Sequence, residues 1–117
     1  MKRVEKPWGF EVIWAHTDRY VGKLLHIDSG HSLSRQYHEQ KDETIYVLSG
    51  ALVLEIGPAE SAERLELSPT ETYHVVPGTI HRFIAEQTVE LMEVSTPELD
   101  DVVRLEDNYG REGTSTA

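Results

Sequence analysis

The sequence predicts an all-β protein closed into one small barrel. Three observations predict it. Short runs rich in β-branched, aromatic and aliphatic residues follow one another along the chain, divided by turn residues, as in sandwiches and barrels. Within many of these runs apolar and polar residues alternate, the period of a half-buried strand. No long window carries a helical period.

In chain order the predicted strands cover residues 10–14, 20–27, 34–38, 44–48, 51–56, 62–67, 72–76, 81–85, 89–95 and 102–105. The breaks between them are Asp28-Ser29-Gly30, Ser49-Gly50, Gly57-Pro58, Ser68-Pro69 and Pro77-Gly78-Thr79, each a combination that favours a turn. In the fifth run Leu52, Leu54 and Ile56 share one face, with Val53 and Glu55 on the other. In the fourth, Ile45 and Val47 alternate with Thr44, Tyr46 and Leu48, so that strand reads as apolar on both faces and central in its sheet. Residues 97–101 are expected to form one helical turn. The barrel is expected to span residues 1–110, with 111–117 a frayed polar tail.

A chain of 117 residues fits one domain, and 38% hydrophobic residues supply one thin core. The formal net charge of −10 argues against nucleic acid, which demands a basic face, and against anionic lipid. No run approaches a membrane span, and the N-terminus lacks the apolar stretch of a secretion signal, so a cytoplasmic location is expected. Exposed sheet edges are commonly paired or covered. A homodimer is therefore expected, with the strand at 10–14 added to the neighbour's sheet.

There is no cysteine, so any metal must be held by nitrogen and oxygen. Two segments offer such ligands. Residues 30–50 carry Gln36, His38 and Glu43 between Gly30 and Gly50, and residues 76–83 carry His81 just after Pro77-Gly78. Residues two apart on a strand share a face, so Gln36, His38 and Gln40 are expected to look inward, with Glu43 returning from the next strand. An amide oxygen, a carboxylate and two imidazoles suit a divalent cation and leave positions open for substrate. Zn, Mn, Fe, Co and Ni all fit such a set. His16, His26, His31 and His74 read as surface or cross-strand residues. Trp8, Trp14, Tyr37 and Tyr46 are candidates to line a cavity, although core packing is the commoner role of strand aromatics.

The two segments resemble the paired motifs of the cupin superfamily. The first of those motifs runs Gly, five residues, His-x-His, three or four residues, Glu, six residues, Gly. The chain matches that spacing, with Gln36 in place of the first histidine. In the second motif the Gly-to-His spacing is kept while Pro77 stands one place late. The resemblance implies a cupin-type barrel, that is, a double-stranded β-helix or jelly roll. Most of the chain further resembles the C-terminal domain of the bifunctional mannose-1-phosphate guanylyltransferase/mannose-6-phosphate isomerases. The matching pieces include Lys6-Pro7-Trp8-Gly9, Lys23, Gln36-x-His38, Gly78-Thr79-x-His81-Arg82 and the block from Asp100 to Arg111.

That likeness implies Gln36, His38, Glu43 and His81 as metal ligands. It also implies Lys23, Arg104 and Arg111 as contacts to a sugar phosphate, and a metal-dependent aldose–ketose isomerase as the activity. Lys23 or Glu43 would serve as base, and Arg35, Arg82, Arg104 and Arg111 are the arginines available to clamp a phosphate. Two departures stand against a simple transfer: Glu39-Gln40 replaces a histidine run, and Arg35 replaces an apolar residue. The nucleotidyltransferase domain is not in this sequence. A metal-dependent oxygenase and a non-catalytic barrel that binds a sugar or small anion are the alternatives.

Overall fold

The computed structural model of the protein describes residues 1–115. The strands in chain order are β1 (Lys2–Lys6), β2 (Gly9–His16), β3 (Val21–Ile27), β4 (His31–Ser32), β5 (Arg35–Tyr37), β6 (Glu43–Ser49), β7 (Leu52–Ile56), β8 (Glu63–Leu67), β9 (Thr72–Val75), β10 (His81–Ala85), β11 (Val89–Ser95), β12 (Val102–Glu106) and β13 (Gly113–Ser115). One sheet runs β1-β2-β3-β11-β6-β9 and the other β13-β12-β5-β10-β7-β8, with β4 also on β10. All pairings are antiparallel. The two sheets face each other as an all-β double-stranded β-helix, the class expected from the sequence.

The inner faces explain why the sheets close. Across the first sheet, Leu25, Leu91 and Val47 stand in one row. Across the second, Phe83, Leu54 and Leu65 do the same. These side chains join Trp8, Ile27, Ile45 and Val89 in a buried core. At one end of the barrel the inner rows turn polar. Lys23, Glu93 and Ile45 form one row of the first sheet, and Val21, Ser95 and Glu43 the next. Opposite them, Arg104, Gln36 and His81 occupy neighbouring positions on β12, β5 and β10. One end of the barrel is a dry core, and the other collects charge.

Several expectations meet a different arrangement. The run at 10–14 lies inside β2, whose two edges are taken by β1 and β3 of the same chain, so it is not free to extend a neighbour's sheet. Residues 97–101 form a turn closed by Leu99 N–H to Pro97 O (2.8 Å), because Pro97 and the capping role of Asp101 leave no helical ladder. The only helical turn among the described residues is a 3-10 turn, Ala59–Ser61, after Pro58. Strand β6 is internal to its sheet, with Ile45 and Val47 buried, but its other face is exposed at Tyr46 and Leu48. In the expected tail, Gly113–Ser115 pair with β12, while residues 116 and 117 lie outside the described residues. Among the described residues, no helix is long and apolar enough to cross a membrane.

Candidate metal centre

His38, Glu43 and His81 come together from three places in the chain, with one potential ligand atom of each within 4.8 Å of the others. His38 follows directly on β5, Glu43 opens β6, and His81 opens β10. A backbone bond ties His38 to the turn that precedes His81: Gly78 N–H donates to His38 O (2.7 Å), and Gly78 reaches that position with φ of +84°, a left-handed conformation that favours glycine.

The rings are oriented through their far nitrogens. His38 Nδ1 donates to Asp101 O (2.5 Å) and His81 Nδ1 to Thr79 O (2.9 Å). A carbonyl can only accept, so each neutral ring carries its lone pair on Nε2. Both Nε2 atoms then face Glu43 Oε1, at 3.7 Å from His38 and 3.4 Å from His81. Three acceptor atoms thus converge, two imidazole nitrogens and one carboxylate oxygen. His81 is 1% exposed, and its Nε2 has no hydrogen-bond partner. Buried acceptors left in this way are costly unless a cation satisfies them. The donor set, imidazole nitrogen and carboxylate oxygen, fits a divalent transition metal.

Gln36 stands beside this cluster and differs in detail from the expected ligand. Its Oε1 accepts from Ser34 Oγ (2.5 Å), and its Nε2 faces His38 Nε2 at 3.4 Å. The amide therefore turns its nitrogen to the centre, and a half-turn about its last torsion exchanges the two ends. Gln40 does not look inward. It is exposed past the end of β5, and its N–H donates to Asp101 Oδ2 (2.7 Å). Asp101 also takes the N–H groups of Glu39 (3.0 Å) and Lys41 (2.9 Å). Burial works against this carboxylate, but the three donors hold its pKa below the ordinary value.

Lys41 is buried between two carboxylates, 3.1 Å from Glu43 Oε2 and 3.0 Å from Glu93 Oε2. Burial opposes its charge, yet the two carboxylates raise its pKa. For Glu43, burial pushes upward, but the Lys41 ammonium, joined by the imidazoles when they are protonated, holds it well below the usual carboxylate range. Glu93 is raised, by burial and by the charge of Glu43.

Beside the centre lies a cavity, which Gln36 and His38 help to line. Its other walls carry the cations Lys6, Lys23, Lys41, Arg104 and Arg111, the carboxylates Glu11 and Glu93, and the apolar Trp8, Leu25, Leu33 and Val102. Five cations against two carboxylates is a basic interior in a chain of net charge −10. Glu11 lies between Lys23 (3.4 Å) and Lys6 (3.8 Å). Burial lowers the pKa of Lys6, and Lys23, Arg104 and Arg111 push the same way against Glu11. Burial and Arg111 likewise lower that of Arg104.

Of the residues expected here from the sequence, the structure brings together Lys23, Gln36, His38, Glu43, His81, Arg104 and Arg111. It does not bring Arg35 or Arg82 to the cavity. Arg35 points to the opposite face of β5 from Gln36 and pairs with Glu55 (2.7 Å) and Glu106 (2.7 Å). Arg82 sits next to the inward His81 and so faces out, bonding Leu33 O and Asn108. Of the four aromatics, Trp8 lines the cavity, while Trp14 covers Gly22 from outside and remains 43% exposed. Lys6, Glu11, Lys41 and Glu93 belong to the site although sequence reasoning assigned them no role in it.

Comparison with known proteins agrees with this architecture. The cupin domain model matches residues 23–95. The chain is 32% identical over 116 residues to mannose-1-phosphate guanylyltransferase ManC of Salmonella typhimurium, covering 94% of this chain and 23% of that protein. It is 30% identical over 115 residues to xanthan biosynthesis protein XanB of Xanthomonas campestris pv. campestris, covering 94% of this chain and 24% of the other. The chain thus spans about a quarter of the length of the curated relatives it matches. Among solved structures, KdgF from Halomonas sp. superposes with a TM-score of 0.72 at 23% identity, over 83% of this chain and 88% of that one. The matched motif segments, the two facing sheets and the inward histidines agree, and the chain belongs to the cupin domain family.

Proposed function

We propose that this barrel is a metal-dependent isomerase of phosphorylated sugars, acting on an aldose–ketose pair such as mannose 6-phosphate and fructose 6-phosphate. The observation that carries the reading is a cation-lined cavity inside an acidic protein, continuous with a His/Glu/His cluster. The likeness to mannose-1-phosphate guanylyltransferase ManC supports a sugar-phosphate substrate.

His38, Glu43 and His81, with Gln36 after an amide half-turn, would hold the metal. A divalent cation there supplies Lewis acidity toward a substrate carbonyl. Lys6, Arg104 and Arg111 would bind the phosphate, where desolvated cations with fork-shaped donors recognise it well. Isomerisation moves a proton between C1 and C2, and the mover must lie within hydrogen-bond reach. Glu43 is a poor base, because its charge is already stabilised by Lys41. Lys23 and Glu11 engage each other. Glu93 faces the cavity with its pKa raised by burial and by Glu43, and we assign proton transfer to it. Trp8 and Leu33 keep one wall apolar and shield the reacting carbons from water.

The test is metal-loaded protein incubated with mannose 6-phosphate in deuterium oxide. Fructose 6-phosphate carrying deuterium at C1, and mannose 6-phosphate carrying it at C2 through the reverse reaction, are expected by NMR, and both should vanish in His81→Ala. Metal-loaded protein that produces neither would sink the isomerase reading.

A further inference from the structure

Arg82 has a role that its distance from the cavity conceals. On the outer face of β10 it donates through Nε to Leu33 O (3.0 Å) and through Nη2 to Asn108 Oδ1 (2.9 Å). Asn108 in turn donates Nδ2 to Ser32 Oγ (3.0 Å). The next residue, Tyr109, packs its ring against the core, and its hydroxyl meets His31 Nδ1 at 2.7 Å. Two residues further on stands Arg111, in the cavity wall. Its N–H and Nε donate to Asp107 Oδ2 (2.7 and 2.9 Å) and its Nη2 to Oδ1 (3.1 Å), while the guanidinium lies 5.6 Å from the centre of the Tyr109 ring. Residues 107–111 therefore form a strap, fastened outside the barrel at one end and presenting a cation to the interior at the other.

The strap has something to resist. Arg111 faces Arg104 and Lys6, and the mutual repulsion is felt by both of those groups. Asp107 fixes the Arg111 guanidinium on the strap itself, so the two like charges would push the strap as a whole outward unless its backbone were held. We infer that Arg82 is a positioning residue that acts through Arg111: by docking Asn108 it keeps the strap seated, so that Arg111 stays in the cavity as an anion-binding group. This rests on the reading of the cavity as an anion site.

The experiment is calorimetric titration of inorganic phosphate into the full-length, metal-loaded protein and four variants: R82Q, N108A, R111Q and the double variant R82Q/R111Q. R111Q should weaken phosphate binding about tenfold or more, the loss of a charge-assisted contact. R82Q and N108A should each weaken it about threefold to tenfold with metal content unchanged, and N108A serves if R82Q folds poorly. The double variant should match R111Q within about twofold, because a residue acting only through Arg111 has nothing left to act on. Wild-type affinity in both R82Q and N108A overturns the inference, as does a double variant in which the two losses multiply. Faster amide exchange at residues 107–111 in R82Q with unchanged phosphate affinity also overturns it. Absence of phosphate binding in the unaltered protein overturns the anion-site reading and takes this inference with it.

Discussion

His38 and His81 each use one ring nitrogen on a backbone carbonyl and turn the other toward Glu43, so the ligand tautomer is set before any cation arrives. His38→Ala or His81→Ala is expected to abolish stoichiometric metal uptake, read by elemental analysis. Asp101 supports His38 through its carbonyl and the following loop through its carboxylate. Asp101→Ala should cost about 1–3 kcal/mol in urea unfolding and lower metal affinity about 10–100-fold. Burial lowers the pKa of His38 despite the nearby charge of Glu43. As pH falls below about 6.5 the unfolded chain takes up that proton first, so the stability due to this ring is present above that value and lost below it. Urea midpoints of metal-free protein should show that decline, and His38→Gln should flatten it. Gln36, His38, Glu43 and His81 were legible as candidate ligands because they lie in two segments that resemble the cupin motifs. Spacing could not single out Lys6 or Glu11 among 11 basic and 21 acidic residues. The parity of the strand could have done more: Arg35 and Arg82 each adjoin an inward residue and so had to face out, while Lys41 shares the parity of Glu43, and Glu93 that of Leu91.

At the scale of strands, apolar alternation put Leu52 and Leu54 of β7 on one face, and both are buried, but it left β6 apolar on both faces where only that of Ile45 and Val47 is buried. It failed at β1, whose sequence Lys-Arg-Val-Glu-Lys has no apolar face and is held by pairing with β2 rather than by burial. It failed also at β4, two residues long, and at β13, both too short to show a period. Turn chemistry was legible where geometry demanded it. Gly50 joins β6 to β7 with φ of +77°, and a Cβ there would lie 2.4 Å from Thr88 O. Gly50→Ala should therefore cost well beyond the ~1 kcal/mol usual for such a change, checked by thermal unfolding. Lys41, between β5 and β6, joins two carboxylates from neighbouring strands. Lys41→Met leaves both charges buried without their partner and should destabilise by about 3–5 kcal/mol in the same assay.

For the molecule as a whole, the charged end of the barrel is a liability that a bound cation relieves. Binding to the folded state alone stabilises it by about 2.7 kcal/mol at a hundred times the dissociation constant. For a domain of this size the midpoint should rise by roughly 10 °C or more with Zn or Mn, and fall again with chelator. His81→Ala should show no such dependence. A wild-type melting curve indifferent to every divalent metal tried would contradict the assignment of the centre.

Arg104, Gln36 and His81 stand side by side through strand pairing, which makes the interior sensitive to counting as well as to chemistry. One residue inserted into β12 ahead of Arg104 would carry that guanidinium out to solvent and bring Val103 into its place. Such a barrel can change what it accommodates by exchanging inward side chains one at a time. Gains and losses of length, by contrast, are confined to its loops.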